Sequence, residues 1–178
     1  MISAGSYLNH AWSLLSKDVD DQGLARLYNE TDVRRAISAA YYCLFHAIIE
    51  DSAIYLVPSG NLELVARVRR AFDHAPMKKA CVAVRDWKPG SQGASWTNLF
   101  RSEPDPKLRE VARAFVYLQD QRHLADYDLT RDMPWAEGAR CCQEAGVAWK
   151  WWKDVQGTPD IDVFHTALLL GDRLNRHG

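Results

Sequence analysis

The stretch from Pro106 to Leu129 constrains the fold most, because its apolar residues recur with the period of an α-helix. They occupy positions 108, 111, 115, 118, 125 and 129, the spacing of a helix that buries one face. Asp105 and Pro106 form an N-cap and first-turn pair, so the start of the helix is well marked. This pattern predicts a long helix that packs into a core.

An arginine interrupts the apolar face of this helix. Arg122 stands where the stripe should continue, and burying a guanidinium without a partner is costly. Asp126 lies four residues later on the same face, so one interpretation is a structural ion pair within the helix. The other interpretation places Arg122 in a groove, where its planar fork of donors binds phosphate.

The rest of the chain shows the same helical period. It predicts helices over residues 3–16, about 31–56, 62–72 and 134–155, with shorter helical segments at 77–87 and 160–174. No stretch alternates with period two, so we predict an all-α, up-and-down antiparallel bundle of about five helices. Residues 88–103, rich in Gly and small polar residues, predict one long loop between the third and fourth helical region and the helix near 106. The apolar side chains of this loop should fold back on the bundle: Trp96, Leu99 and Phe100.

The length of 178 residues suits one domain with a substantial core. We predict a single domain over residues 1–178, with a core at about 3–156 and the C-terminal helix 160–174 docked on it. Small residues repeat along the second helix and should let a neighbouring backbone approach closely: Ala36, Ala40, Cys43 and Ala47. The long helix predicted at 106–129 is the expected neighbour.

Composition excludes several classes of function. The net charge is −1, so no global field attracts nucleic acid or a membrane, although residues 61–110 carry more Lys and Arg than Asp and Glu. No apolar run approaches the ~20 residues that span a bilayer, and no export signal is visible. The four cysteines form no C-x-x-C pair, which indicates reduced thiols and a cytoplasmic location.

Metal and cofactor motifs are missing from the sequence. His46 follows Cys43 by three residues, but no third ligand is evident, and the adjacent Cys141 and Cys142 have poor geometry for zinc. No glycine-rich phosphate loop occurs. We therefore predict no metal and no cofactor. His46 is expected either to bond a core neighbour or to face the groove.

Two segments together resemble the HEPN superfamily, the higher eukaryotes and prokaryotes nucleotide-binding domains. They are RRAISAAYYCLFHAIIE at 34–50 and QRHLADYDL at 121–129, and they are most similar to the branch with an R-x-x-A-D-Y ending. The resemblance covers roughly residues 3–156. It implies a helical bundle that usually forms a homodimer. Many members are metal-independent endoribonucleases, toxins or RNA-processing factors, and others are non-catalytic partners of a nucleotidyltransferase.

The resemblance also implies site residues. Nuclease members carry R-x-x-x-x-H, in which the Arg binds the scissile phosphate and the His moves a proton. Here Arg122 matches the Arg, while Tyr127 replaces the His and His123 stands where an Asn is common. A tyrosine with a pKa near 10 is a poor base at neutral pH, so catalysis is an open question. The expected catalytic set is Arg122, His123, Asp126 and Tyr127, and the expected binding set is Arg34, Arg35, His46, Lys78 and Lys79.

Two functions stay open at this point. The first is an RNA- or nucleotide-binding homodimer, whose catalytic version would be a metal-independent endoribonuclease or a toxin-like component with an antitoxin as its partner. The second is a non-catalytic, dimeric interaction subunit that partners a nucleotidyltransferase or another protein, with Arg122 and Asp126 as a structural pair. An Arg122 side chain exposed in a groove favours the first function, and one held against Asp126 favours the second.

Overall fold

The computed structural model describes residues 3–16, 29–90 and 93–175, and within these ranges the chain contains helices and no strand. The described ranges hold seven α-helices and one 3₁₀ helix: α1 (Ala4–Ser16), α2 (Glu30–Leu56), α3 (Leu62–Arg70), α4 (His74–Arg85), the 3₁₀ helix (Ser95–Leu99), α5 (Pro106–Tyr127), α6 (Trp135–Asp154) and α7 (Pro159–Leu174). The predicted all-α class is confirmed.

The helix count differs from the prediction of about five, because both short segments are full helices. α4 has 12 residues and buries Met77, Ala80, Cys81 and Val84, which share one face. α7 has 16 residues and packs against α4 and the 3₁₀ helix. The apolar faces of α4 and α7 bury each other, so tertiary packing stabilises helices that would be marginal alone.

The backbone contacts divide the chain into two compact units. Unit 1 comprises the described parts of 1–47 and 117–149, and unit 2 comprises the described parts of 48–116 and 150–178. The division falls within α2, α5 and α6, each of which contributes residues to both units.

Unit 1 contains α1 and the small-residue face of α2. Ala36, Ala40 and Cys43 are completely buried, as the close-approach prediction requires. Gly138 of α6 shows how tight this unit is, because a Cβ atom added there would lie 3.0 Å from Leu15 Cδ2 and 3.1 Å from Val33 Cγ1. Native interiors leave no space for such an extra group without a shift of the neighbours.

Unit 2 contains the long loop between α4 and α5. Trp96 and Phe100 are buried and their rings meet edge to face, so the prediction that the loop folds back is confirmed for these two residues. It was wrong for Leu99, which is exposed on the 3₁₀ helix. Leu99 is the last residue of the short 3₁₀ helix, and its exposed side chain shows that folding back of the loop does not bury every apolar residue in it.

Helix α5, which was predicted at 106–129, follows its sequence pattern closely. Leu108, Val111, Phe115, Leu118 and Ala125 are all buried, and the Asp105 side chain accepts a hydrogen bond from the Lys107 N–H at 2.7 Å. Leu129 is the error, because it is 79 % exposed. α5 ends at Tyr127, so Leu129 has left the helical register that placed it on the buried stripe.

Among the described residues, no helix is both long enough and apolar enough to cross a bilayer.

Candidate anion-binding cleft

Unit 1 carries an open cleft of about 470 Å³, which we call the Arg35 cleft. Residues of α1, α2 and the end of α5 line it: Tyr7, His10, Thr31, Arg34, Arg35, Ser38, Ala39, Tyr42, Ala125 and Asp126. The volume lies within the range of roughly 300–1,000 Å³ that is usual for small-ligand sites. Three sequence-predicted site residues, Arg34, Arg35 and Asp126, therefore meet in one concavity.

The two adjacent arginines of this cleft have opposite surroundings. The Arg34 side chain is only 12 % exposed, and it donates to the carbonyl oxygens of Ala125 and Asp128 at 2.9 Å each. It also donates to the carbonyl of Arg131 and pairs with Glu30 at 2.6 Å. These contacts satisfy carbonyl groups that the end of α5 leaves without helical partners. The donors of Arg34 are thus committed to the protein itself.

Arg35 is exposed on the next position of α2 and lines the cleft. Its guanidinium forms no hydrogen bond or ion pair with any residue that the structure describes. A permanent positive charge with a full set of donors is therefore presented to whatever enters the cleft. The exposed His10 of α1, which lines the same cleft, adds a second group able to carry a positive charge.

Arg122 is held by its own helix and does not line the cleft. Its Nε lies 2.6 Å from Asp126 Oδ2, an ion-pair distance, although the N–H is not aligned for a hydrogen bond. The exposed fractions of the two side chains are 20 % for Arg122 and 28 % for Asp126. The guanidinium also lies over the Tyr42 ring, 5.7 Å from its centroid, and its Nη2 is 3.4 Å from the Tyr42 hydroxyl.

Asp126 connects this pair to the cleft. Ser38 of α2 donates its hydroxyl to Asp126 Oδ1 at 2.6 Å, while Asp126 Oδ2 contacts Arg122. Both oxygens of the carboxylate are therefore positioned by neighbours, one from α2 and one from α5. The pair that the sequence predicted within α5 is present, and it extends to a third residue that the sequence did not indicate.

Aromatic side chains form the wall beside Asp126. The Tyr7 ring stacks on His46 with centroids 4.8 Å apart, and it meets Tyr42 at 6.0 Å. His46 also packs against Tyr42 and Phe45. His46 therefore supports the rings of Tyr7 and Tyr42 and does not itself line the cleft, unlike those two tyrosines.

His123 and Tyr127 lie on the exposed side of α5. Their ring centroids are 4.9 Å apart, and Tyr127 is 66 % exposed. Arg122 lies 5.9 Å from the Tyr127 centroid, so the three side chains of the family motif are neighbours. None of the three is among the residues that line the Arg35 cleft.

The two predicted lysines belong to unit 2. Lys79 pairs with Asp172 at 3.0 Å, and Lys78 has an interaction of its own. Neither of them lines the Arg35 cleft. The long loop of unit 2 borders a separate cleft of about 460 Å³, whose lining includes the cations Lys88 and Arg101.

Sequence reasoning missed most of the cleft lining, including Tyr7, His10, Ser38 and Tyr42. Tyr42 and Ser38 lie one helical turn apart on α2, and Arg35 lies one turn before Ser38. This i, i+3, i+7 spacing marks one helix face and is a signal that was present in the sequence. Tyr7 and His10 show the same three-residue spacing on α1. That spacing does not predict which other helix the two side chains face.

A buried serine–histidine pair lies in unit 2. Ser52 Oγ and His165 Nδ1 are 2.8 Å apart and both side chains are buried. Tyr55 stacks on the His165 ring and Trp152 meets it edge-on. Burial lowers the pKa of His165 to about 4, with the Asp162 carboxylate opposing that shift. The packing leaves no room for a substrate beside Ser52, so this pair is a structural hydrogen bond.

Two other observations bear on chemistry. No group of three or more His, Cys, Asp or Glu residues in the described chain could hold a metal ion. The four thiols are reduced and buried, and burial raises the pKa of Cys43, Cys141 and Cys142 to about 12. Such thiols are neutral at pH 7 and are poor nucleophiles.

No protein-family model, no curated protein and no solved structure matches this chain. The geometry of the Arg35 cleft is therefore the basis on which a function can be assigned to this protein.

Proposed function

We propose that this protein binds the phosphate of a nucleotide or of single-stranded RNA in the Arg35 cleft. The observation that carries the proposal is the Arg35 guanidinium, which is exposed in a concave site and has no partner among the described residues. Charge-assisted hydrogen bonds from Arg to phosphate are among the strongest that a surface group can form. The adjacent Arg34 has a structural role, so the cleft combines one positioned cation with one ligand-binding cation.

The aromatic wall supports a nucleotide over a bare anion. Tyr7 and Tyr42 line the cleft, and Tyr7 is held in place by its stack on His46. Bases stack on tyrosine rings with a gain of roughly 1–3 kcal/mol per base. Together with a phosphate at Arg35, such a contact accounts for both chemical parts of a nucleotide. The resemblance to the HEPN superfamily points to the same class of ligand.

The geometry favours binding over RNA cleavage. A nuclease of the R-x-x-x-x-H type needs its arginine on the scissile phosphate, whereas Arg122 contacts Asp126 and Tyr42 and does not line the cleft. Tyr127 would also have to replace a histidine as the proton-transfer group. We therefore propose a binding protein and assign a structural role to Arg122.

A second candidate is the non-catalytic interaction subunit, and one observation favours it. Tyr127, the last residue of α5, and Leu129, two residues later, both have large exposed side chains, and Tyr127 lies next to Arg122. Exposed apolar side chains that lie close together are typical of protein–protein contacts. A homodimer or a nucleotidyltransferase complex using this surface is compatible with nucleotide binding in the cleft, since the two sets of residues differ.

The binding proposal is tested by fluorescence anisotropy with a labelled single-stranded RNA at 50 and 200 mM salt. We expect binding that weakens with salt, because phosphate contacts release counterions. Arg35→Ala should weaken binding roughly tenfold or more, as expected for a lost hydrogen bond to a charged group. Arg101→Ala is the matched control, because Arg101 is equally exposed, forms no ion pair with a described residue and lies in unit 2.

The affinities of the two variants distinguish binding in the cleft from a non-specific charge effect. Loss of binding in Arg35→Ala with normal binding in Arg101→Ala supports the cleft. Equal affinities of the wild-type protein and Arg35→Ala overturn the proposal, and so does an equal loss in both variants, which would indicate a non-specific charge effect.

Arg122→Ala tests the nuclease version. Purified wild-type protein and Arg122→Ala are incubated with total RNA, and we expect cleavage by neither. The variant should instead unfold at a lower temperature, because Asp126 loses its ion-pair partner. Cleavage by the wild-type protein that disappears in Arg122→Ala would restore the nuclease hypothesis.

A further inference from the structure

The acidic part of the Arg35 cleft restricts which nucleotide it accepts. Asp126 lines the cleft, and its side chain is 28 % exposed. Ser38 donates to Oδ1 and Arg122 lies against Oδ2, each at 2.6 Å, so the carboxylate is oriented before any ligand arrives. A negatively charged acceptor is unexpected in a site for phosphate alone, because it repels that anion.

Asp126 keeps the capacity to accept further hydrogen bonds. An ionised carboxylate has about four lone-pair sites on its two oxygens, and the described contacts use one site on each oxygen. One acceptor site per oxygen therefore remains. A carboxylate accepts from a ligand edge that presents two adjacent N–H donors in the same way as it pairs with the fork of an arginine.

We propose that the cleft is selective for guanine nucleotides, with Asp126 as the residue that reads the base and Arg35 as the residue that binds the phosphate. This inference rests on the proposed function. The Watson–Crick edge of guanine carries N1–H and the N2 amine side by side, and both donate to the Asp126 carboxylate. Adenine presents one amine beside the acceptor N1. The lone pair of N1 would be repelled by a carboxylate oxygen of Asp126.

The remaining lining is consistent with this arrangement. Tyr7 offers a ring already fixed by His46, on which the base can stack. The volume of about 470 Å³ suits one mononucleotide or one nucleotide of an RNA chain. A guanine that is read by Asp126 lies in the same concavity as a phosphate bound by Arg35.

Isothermal titration calorimetry with nucleoside monophosphates tests the selectivity directly. We expect GMP to bind roughly tenfold more tightly than AMP, the usual discrimination of a two-bond base contact. Inosine monophosphate keeps N1–H but lacks the N2 amine, so its affinity should fall between the two. This ligand series needs no variant, and it stays decisive if a substitution impairs folding.

Asp126→Asn provides the protein-side test. An amide offers one donor and one acceptor, so the GMP to AMP affinity ratio should fall to about one or reverse. Asp128→Asn is the matched control, because Asp128 lies two residues away, accepts hydrogen bonds from Thr130 and does not line the cleft. The ratio should be unchanged in that variant.

Failure of this inference is distinguishable from failure of the proposed function. Equal affinities for GMP, inosine monophosphate and AMP that all depend on Arg35 would overturn guanine selectivity and leave phosphate binding intact. A guanine preference that persists in Asp126→Asn would also overturn the role of Asp126. No binding of any monophosphate, of inorganic phosphate or of RNA would overturn both proposals.

Discussion

Arg34 and Arg35 show how completely the surroundings of a residue decide its role. Both are arginines on the same helix, and the sequence alone suggested the same phosphate contact for each. Arg34 points to the carbonyl end of α5 and uses its donors there, whereas Arg35 has none of these acceptors within reach. One side chain stabilises the fold and the other is available to a ligand.

This difference predicts opposite results for two neighbouring substitutions. Arg34→Met should lower the free energy of unfolding by about 3 kcal/mol, because it leaves Glu30 and the partly buried carbonyl groups of Ala125 and Asp128 without their donor. Arg35→Met should change it by less than about 0.5 kcal/mol, as exposed substitutions usually do. Urea unfolding followed by circular dichroism measures both values. Similar losses in the two variants would contradict the structural role of Arg34.

His165 predicts a specific acid sensitivity. Its pKa is lowered to about 4 in the folded protein, against 6.5 in an unfolded chain, so the unfolded state binds the extra proton between these pH values. Stability is therefore full above pH 6.5 and declines as the pH falls toward 4, by up to about 3 kcal/mol. Urea unfolding at a series of pH values from 7.5 to 4 measures this slope.

His165→Gln should flatten the slope, because glutamine can retain a hydrogen bond to Ser52 but has no proton to gain. His10→Gln is the control, because it replaces an exposed histidine that lies outside the buried Ser52–His165 pair. An unchanged slope in His165→Gln would show that other groups cause the acid sensitivity.

At the scale of elements, the start of α3 depends on one side chain. Asn61 has an extended backbone, and its Oδ1 accepts a hydrogen bond from the Leu64 N–H at 3.0 Å, which makes it the N-cap of α3. Asp73 occupies the same position before α4 but makes no such side-chain bond. The two helices therefore begin in different ways although both cap residues are of the preferred types.

Asn61→Ala should cost about 1 kcal/mol of stability, the usual value for a lost N-cap bond. Asp73→Ala removes only a charge near the first turn of α4 and should cost less. Thermal unfolding of both variants beside the wild-type protein measures the difference. A larger loss from Asp73→Ala than from Asn61→Ala would contradict the capping assignment.

At the scale of the whole molecule, the four buried thiols report on opening of each unit. Cys43, Cys141 and Cys142 lie in unit 1 and Cys81 lies in unit 2. Burial and raised pKa values should protect all four from iodoacetamide in the native protein, because alkylation requires an exposed thiolate.

We expect no labelled cysteine in the folded state at pH 8 and four in 8 M urea. Mass spectrometry of peptides from a time course at intermediate urea gives a rate for each site. Equal rates indicate that both units open together, and a distinct rate for Cys81 indicates separate opening. Rapid labelling of any of the four thiols without urea would contradict their burial.

Most of the fold could be predicted from the sequence, because helical periodicity is a local property. The buried stripe of α5, its Asp105 start and the small-residue face of α2 follow from spacings of three and four residues. An error occurred where a segment left a regular helix, as at Leu129. The predicted count of about five was too low, although helical segments were predicted at the positions of α4 and α7, which stabilise each other. Pattern reasoning does not include these non-local contacts.

By itself, therefore, the sequence determined the all-α class and the course of the long helices, and it offered the ion pair between Arg122 and Asp126 as one of two interpretations, since each depends on residues a few positions apart. Only the tertiary structure decided that Arg34 holds the end of α5, that Arg35 and His10 share a cleft, and that Ser38 reaches Asp126. Those relationships join residues about 25 to 100 positions apart, and the packing of several helices brings them together.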